Sequence, residues 1–234
     1  MKNLFNLLII LLAGTSLGAL AATRETSTDY DYPPPAPGTY TLPVIKRAAD
    51  GALLDVTGQP VRLASLTRGR ITLMSFIYTR CANTKACPYA TGVLLQIHRA
   101  STDDPRLSSH LRLVSMSFDP AIDTPTRMAD YANLFSRRAG AAPWHFVTAR
   151  NQEDLQPVLD AYGQAVDRKE NPADPTGPLN HTLRVFLVDA AGFIRNIYSS
   201  GTLDPRLVLA DIQTLMLETS AKQSPDASPV LFMK

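Results

Sequence analysis

Cysteine is scarce in this chain: Cys81 and Cys87 are the only two among 234 residues. A lone pair either closes one disulfide or stays reduced for metal or redox work. A structural staple matters most to small domains that lack a sufficient core. A chain with 45% hydrophobic residues has no such need. An excess of charge of one sign is also missing. Lysine and arginine number 23 against 21 acidic residues, and Lys2 falls in a probable leader. No basic block offers a footprint for phosphates, which argues against nucleic acid as a partner. With 19% charged residues the composition excludes global disorder. The length suits one domain of ordinary size with tails.

Residues 1–21 read as an export signal. Lys2 supplies positive charge, Leu4 to Leu12 form a short apolar run, and Gly14, Ser16 and Gly18 loosen the chain. Ala19-Leu20-Ala21 then matches the small-x-small cleavage pattern. The rival reading is an uncleaved anchor, since Leu4 to Ala22 is about 19 residues against the ~20 that span a bilayer. Asn6 and the small residues after Leu12 weaken that span, and no cysteine follows the run to carry a lipid. The expected location is therefore periplasmic, either soluble or tethered to the inner membrane through the N-terminus alone. Residues 22–40 read as a linker. Pro33-Pro34-Pro35-Ala36-Pro37 favours extended polyproline geometry, which would hold the folded domain away from the membrane. The domain proper is expected over 41–218, and 219–234 reads as a flexible tail.

Within the domain, Ala52 to Val56 and Val61 to Leu63 flank Gly58 as a hairpin. Ile71 to Tyr78 is rich in β-branched and aromatic residues and almost free of charge, as expected of a central strand covered on both faces. A helix is expected from about Tyr89 to Arg99, with Pro88 at its first position. Leu111 to Phe118 is a second buried strand, and Thr124-Pro125 opens a helix to about Arg138. Trp144 to Val147 reads as a strand and Gln152 to Tyr162 as a helix. Asn171 to Asn180, with three prolines and a glycine, reads as a loop. Thr182 to Val188 and Phe193 to Tyr198 form a hairpin across Ala190-Ala191-Gly192, and a last helix runs from Asp204-Pro205 to about Glu218. This order is α/β and fits a thioredoxin-like fold with an N-terminal hairpin extension.

The two cysteines fall between a buried strand and a helix N-terminus. Free N–H groups and the helix dipole there favour thiolate over thiol, which predicts a lowered pKa for Cys87 in particular. Lys85 adds positive charge between them or points into water. Five residues separate the cysteines, against two in the Cys-X-X-Cys redox motif. A disulfide stays possible if the α-carbons come within about 7 Å, and a long loop also lets two sulfurs splay around a metal. Of the four histidines, His98 near a helix end and His110 in a turn read as surface residues. His145 beside Trp144 reads as packed or solvent-facing. His181 follows the proline-rich loop and precedes a strand, a position equally open to a ligand and to an ordinary loop histidine.

Three separated motifs resemble those of the Sco/SenC copper proteins, over roughly Tyr40 to Glu218. They are Phe76-Ile77-Tyr78-Thr79-Arg80-Cys81 ending in Cys87-Pro88, Ser117-Phe118-Asp119-Pro120 with Asp123-Thr124, and Asn180-His181-Thr182 running into Phe186-Leu187-Val188-Asp189 and Gly192. The resemblance implies one copper ion held by Cys81, Cys87 and His181. It also implies delivery to, or reduction of, the binuclear copper site of a cytochrome c oxidase subunit, with a thioredoxin-like reductant as a further partner. Asp119 matches an acidic position near that family's site and is assigned to loop order or partner contact rather than ligation. The family usually places fewer residues between its cysteines, and the longer loop could enlarge the site, alter copper affinity or favour disulfide chemistry. Two thiolates suit copper(I) and an imidazole suits both copper states, whereas a closed structural zinc site normally wants four ligands. The rival readings are a metal-independent thiol–disulfide oxidoreductase cycling Cys81 and Cys87, a peroxiredoxin-like peroxidase attacking through Cys81, and a scaffold with an inert disulfide.

Overall fold

The computed structural model describes residues 32–135 and 139–223. The expected leader, residues 22–31 of the expected linker and residues 224–234 of the expected tail lie outside the described residues. The chain divides between Tyr32 and Pro33, and every element below belongs to the second unit.

The elements run β1 (Lys46–Arg47), β2 (Ala52–Asp55), β3 (Pro60–Arg62), α1 (Leu63–Leu66), β4 (Ile71–Ile77), α2 (Cys87–Asp103), α3 (Pro105–His110) and β5 (Leu111–Ser117). They continue α4 (Pro125–Asn133), β6 (Trp144–Thr148), α5 (Gln152–Tyr162), β7 (Val166–Arg168), β8 (Leu179–His181), β9 (Val185–Val188), β10 (Phe193–Tyr198) and α6 (Pro205–Gln223). One sheet has the order β1-β10-β9-β4-β5-β6-β2-β3, and β7 pairs with β8 alone. β4, β5 and β6 are parallel neighbours, while β9 lies antiparallel to β4 with Ser75 opposite Val185. This is the expected thioredoxin-like order, with the β2–β3 hairpin added at the edge beside β6.

All seven residues of β4 are buried, as its uncharged run requires. Their alternation sorts the core into two layers. Met74, Phe76, Val114, Met116, Phe186 and Val188 pack with Met128 of α4 and with Leu155 and Tyr162 of α5. Ile71, Leu73, Leu111, Leu113, Val185 and Leu187 pack with Leu94 of α2 and Ile212 of α6. The hairpin turn of β2–β3 is closed by Asp55, whose carboxylate accepts from Thr57 N–H and Gln59 N–H. Gly58 there takes φ +81, a conformation that side chains resist.

Several features differ from expectation. α2 begins at Cys87 itself, so Pro88 is its second residue. α4 ends at Asn133, five residues before Arg138. The segment read as a plain loop from Asn171 to Asn180 ends in β8, which folds back on β7 as a two-stranded ribbon. α6 continues to Gln223, so the first five residues of the expected tail are helical. Finally, the end of the expected linker is not a free spacer. Gly38 N–H donates to Thr214 Oγ1 and Tyr40 Oη to Asp211, which fastens this segment to α6.

Candidate metal centre

The C-terminal ends of β4 and β5 and the approach to β9 meet at one edge of the sheet, where open α/β sheets place their ligands. From β4 the chain leaves through Tyr78, Thr79 and Arg80 to Cys81. Cys81 N–H donates to Tyr78 O at 3.2 Å. Ala82 to Lys85 form an exposed turn held by Asn83, whose side-chain oxygen accepts from Lys85 N–H and whose carbonyl accepts from Ala86 N–H. Cys87 then opens α2 and is buried, while Cys81 is half-buried. Lys85 lies exposed on the turn.

The third member arrives from β8. His181 Nε2 lies 3.3 Å from Cys87 Sγ and 3.9 Å from Cys81 Sγ. The three donor atoms all fall within 4.8 Å of one another, and this is the one such group of three among the described residues. Both cysteines are free thiols. Five intervening residues therefore still bring two sulfurs and an imidazole to one point.

Packing and docking hold the imidazole in place. Its ring stands edge-on to Tyr78 at 5.4 Å and tilted against Phe118 at 5.0 Å. The His181 Nδ1 atom is buried with no hydrogen-bond partner among the described residues, whereas metal-bound histidines commonly anchor that nitrogen to an acceptor. The β7–β8 ribbon docks on the cysteine turn through Thr176, whose carbonyl accepts from Ala82 N–H at 3.3 Å and from Tyr78 Oη at 3.4 Å. Lys169 closes the ribbon from inside, reaching Asp174 at 3.0 Å and Thr176 Oγ1 at 2.6 Å.

The charge distribution differs from expectation. Cys81, not Cys87, is the low-pKa thiol, held at about 4. The main cause is the hydrogen bond it receives from Cys87, opposed by burial and reinforced by His181 and the backbone N–H groups of Cys87 and Asn83. Cys87 is pushed up, because it donates to Cys81 and because it is buried. The helix N-terminus does supply an N–H group, but it serves both sulfurs, and for Cys87 it is outweighed by the donation to Cys81 and by burial. A buried thiol beside an existing thiolate keeps its proton. Burial, then the Cys81 charge, also pushes Tyr78 up to about 12.

The other histidines stand apart from this group. His98 is 6% exposed and packs on the Trp144 ring at 5.5 Å, so it is a core residue rather than a surface one. His110 ends α3 in the open, with Nδ1 2.8 Å from Arg106 O. His145 is half-buried in β6, and burial lowers its basicity. Asp119 pairs with Arg80 at 2.9 Å, which fits loop order rather than ligation. Sequence reasoning quoted Asp123 within the second motif but gave it no role; it is fully buried and accepts from Thr79 N–H, Thr79 Oγ1 and Ser117 Oγ. Its neighbours Thr124-Pro125 had signalled a helix start, which says nothing of where the Asp123 carboxylate goes.

The family model described as SCO1/SenC matches residues 48–217. No curated protein sequence matches the chain. Among solved structures, Bradyrhizobium japonicum ScoI with copper bound is 22% identical, with 70% of this chain and 97% of that one covered at a TM-score of 0.56. Yeast Sco1 with copper bound is 16% identical, covering 77% and 96% at a TM-score of 0.54. BsSco, a member of the Sco family of cytochrome c oxidase assembly proteins for which a disulfide switch is described, is 19% identical, covering 75% and 97% at a TM-score of 0.59. At these identities the likeness establishes a shared fold.

Proposed function

Since the chain belongs to the SCO1/SenC family, we propose that it is a copper metallochaperone that takes one copper ion as cargo on Cys81, Cys87 and His181. The observation that carries this reading is the meeting of two sulfurs and one imidazole nitrogen within 4.8 Å. Two sulfurs suit copper(I), and the imidazole serves either oxidation state. Cys87 is the buried member, and Cys81 and His181 are half-exposed. A three-donor group opening to solvent through two of its members leaves a side from which a recipient's ligands can enter and displace them in turn. The recipient in this reading is the binuclear copper site of a cytochrome c oxidase subunit. In this reading the functional domain expected over 41–218 extends with α6 to Gln223, and residues 1–21 carry it to the periplasmic side as a cleaved signal or an anchor. No helix of the described residues is long and apolar enough to cross a membrane.

A second reading has its own observation. A half-exposed Cys81 thiolate beside a protonated, buried Cys87 is the division of labour of an attacking and a resolving thiol. In that reading the pair reduces a recipient's disulfide and closes into its own, with a thioredoxin-like reductant restoring it. An anaerobic copper titration of the reduced chain separates the two. Metallochaperone action requires one copper per chain and at least tenfold weaker binding in Cys81→Ser and His181→Ala. Wild-type affinity in His181→Ala, with metal-free turnover of a disulfide substrate, transfers the function to the thiol pair alone.

A further inference from the structure

Residues 79 and 80, which deliver Cys81, are each gripped by an aspartate of the segment that follows β5. Asp123 is 0% exposed. Its Oδ2 accepts from Thr79 N–H at 3.0 Å and from Ser117 Oγ at 2.6 Å, while its Oδ1 accepts from Thr79 Oγ1 at 2.5 Å. Arg127 Nε donates to the same Thr79 hydroxyl at 2.7 Å and lies 3.7 Å from the carboxylate. On the other side, Asp119 N–H donates to Ser117 Oγ at 3.0 Å, and the Asp119 carboxylate takes Arg80 at 2.9 Å. Between Ser117 and Asp119 stands Phe118, whose ring braces His181.

One short segment therefore touches the approach to the sulfur and the wall of the imidazole. A charged carboxylate with no solvent exposure is costly unless every lone pair is used. Here the charge is met by two side-chain hydroxyls, one backbone N–H and a nearby guanidinium. None of these contacts reaches a donor atom of the metal centre. We infer that Asp123 is a positioning residue for that centre: it fixes the distance between Cys81 and His181 by tying the end of β4 to the end of β5. This inference rests on the copper reading above and extends it to a residue outside the ligand set.

The isosteric Asp123→Asn removes the charge and turns one acceptor into a donor. An amide cannot accept at both of its ends: with its oxygen kept on Thr79 N–H and Ser117, its NH2 faces the Thr79 hydroxyl, which must give up its donation there and accept from the amide as well as from Arg127. The full reduced chain should then bind copper at least tenfold more weakly, in line with the loss of an orienting outer contact. Its thiolate-to-copper(II) charge-transfer band should shift, and Thr79→Val should follow in the same direction. Asp211→Asn is the control. That second buried carboxylate accepts from Tyr40, Asn196 and Tyr198 in the opposite core layer, so its loss should lower stability and leave the copper band unmoved. A wild-type copper affinity and band in both Asp123→Asn and Thr79→Val overturns the inference. Should the wild-type chain bind no copper, the copper reading itself fails, and the alkylation rate of Cys81 decides for Asp123. A changed rate in Asp123→Asn upholds its positioning role and an unchanged rate removes it.

Discussion

Gly177, in the ribbon that carries His181, packs directly against Tyr78 and Arg80 on the approach to Cys81, and replacing it with alanine tests whether that contact seats the imidazole. Its φ is +103, outside the range that side chains adopt easily. A Cβ there would lie 2.1 Å from Tyr78 Oη and 2.9 Å from the Arg80 carbonyl. Tyr78 cannot swing aside, because its ring is wedged between Phe118 at 5.2 Å and His181 at 5.4 Å. Backbone strain of about 1–3 kcal/mol and overpacking of about 1–3 kcal/mol put the seated variant roughly 2–6 kcal/mol in deficit. Lifting the turn away frees its backbone to leave the left-handed region as well as to escape the clash, and gives up two hydrogen bonds onto the Thr176 carbonyl, at about 0.5–1.5 kcal/mol each. Lifting is the cheaper route. Gly177→Ala should therefore lose about 1–3 kcal/mol by urea denaturation of the reduced chain, and its copper affinity should fall at least tenfold as β8 is drawn off. A loss below about 0.5 kcal/mol, the range of an inert surface change, would show that the close approach carries no load. A loss of stability with wild-type copper affinity would show that the docked turn does not place His181.

Two further expectations follow from the same geometry. With Cys81 held at about 4, the lowered pKa keeps the thiolate at every pH above that value and loses it only as pH falls through about 4. Alkylation of the reduced, metal-free chain should go to Cys81 first and keep a level rate from about pH 8 to about pH 5. A rate that drops tenfold per unit from about pH 8 downward, as for an ordinary thiol near 8.5, contradicts the sharing of one proton between the sulfurs. Phe118 is 2% exposed and forms one wall of the imidazole seat. Phe118→Ala should cost about 3–5 kcal/mol in denaturation and also weaken copper binding, and an unchanged affinity after that cost would mean the ring has no part in holding His181.

Much of the scaffold was legible because its signals are local. The uncharged run of β4 could only be a strand buried on both faces. The boundaries of α5 agree with its flanks, where Asn151 caps Asp154 N–H and Gly163 takes a left-handed conformation. His98 was misread although a signal existed: it continues the stripe of Thr91 and Leu94 along α2, and all three are buried. The β7–β8 ribbon carried no such signal. Its prolines and glycine mask the pattern, and its order comes from the Lys169–Asp174–Thr176 clamp and from docking on Ala82, contacts that composition does not announce. The location of the thiol proton was equally hidden. Cys87 keeps the proton because it donates to Cys81 and is the more buried of the two, a pairing across the turn that neighbouring residues in sequence do not reveal. Asp123 reads in sequence as the residue before a capped helix, and its burial depends on the parallel pairing of β4 with β5.

The longer cysteine loop was the one departure that put the metal centre in doubt, and the turn at Asn83 accounts for it. Four successive residues, Ala82 to Lys85, are exposed, and Asn83 ties the turn together through its side chain, its carbonyl and its N–H. The added length is spent outward, over solvent, while the ends of the loop stay pinned. Cys81 is held by the end of β4, and Cys87 by the start of α2. A loop anchored so close to both sulfurs can lengthen at its crest without moving them, since closing a slightly longer flexible loop costs only a fraction of a kcal/mol, about 0.6 for each doubling. The ligand geometry is therefore insulated from the insertion. What the length adds is exposed surface beside Cys81, where Thr84 and Lys85 project. Loop length in this chain shapes the surface beside Cys81, and the two sulfurs themselves are set by the strand and helix ends beneath it.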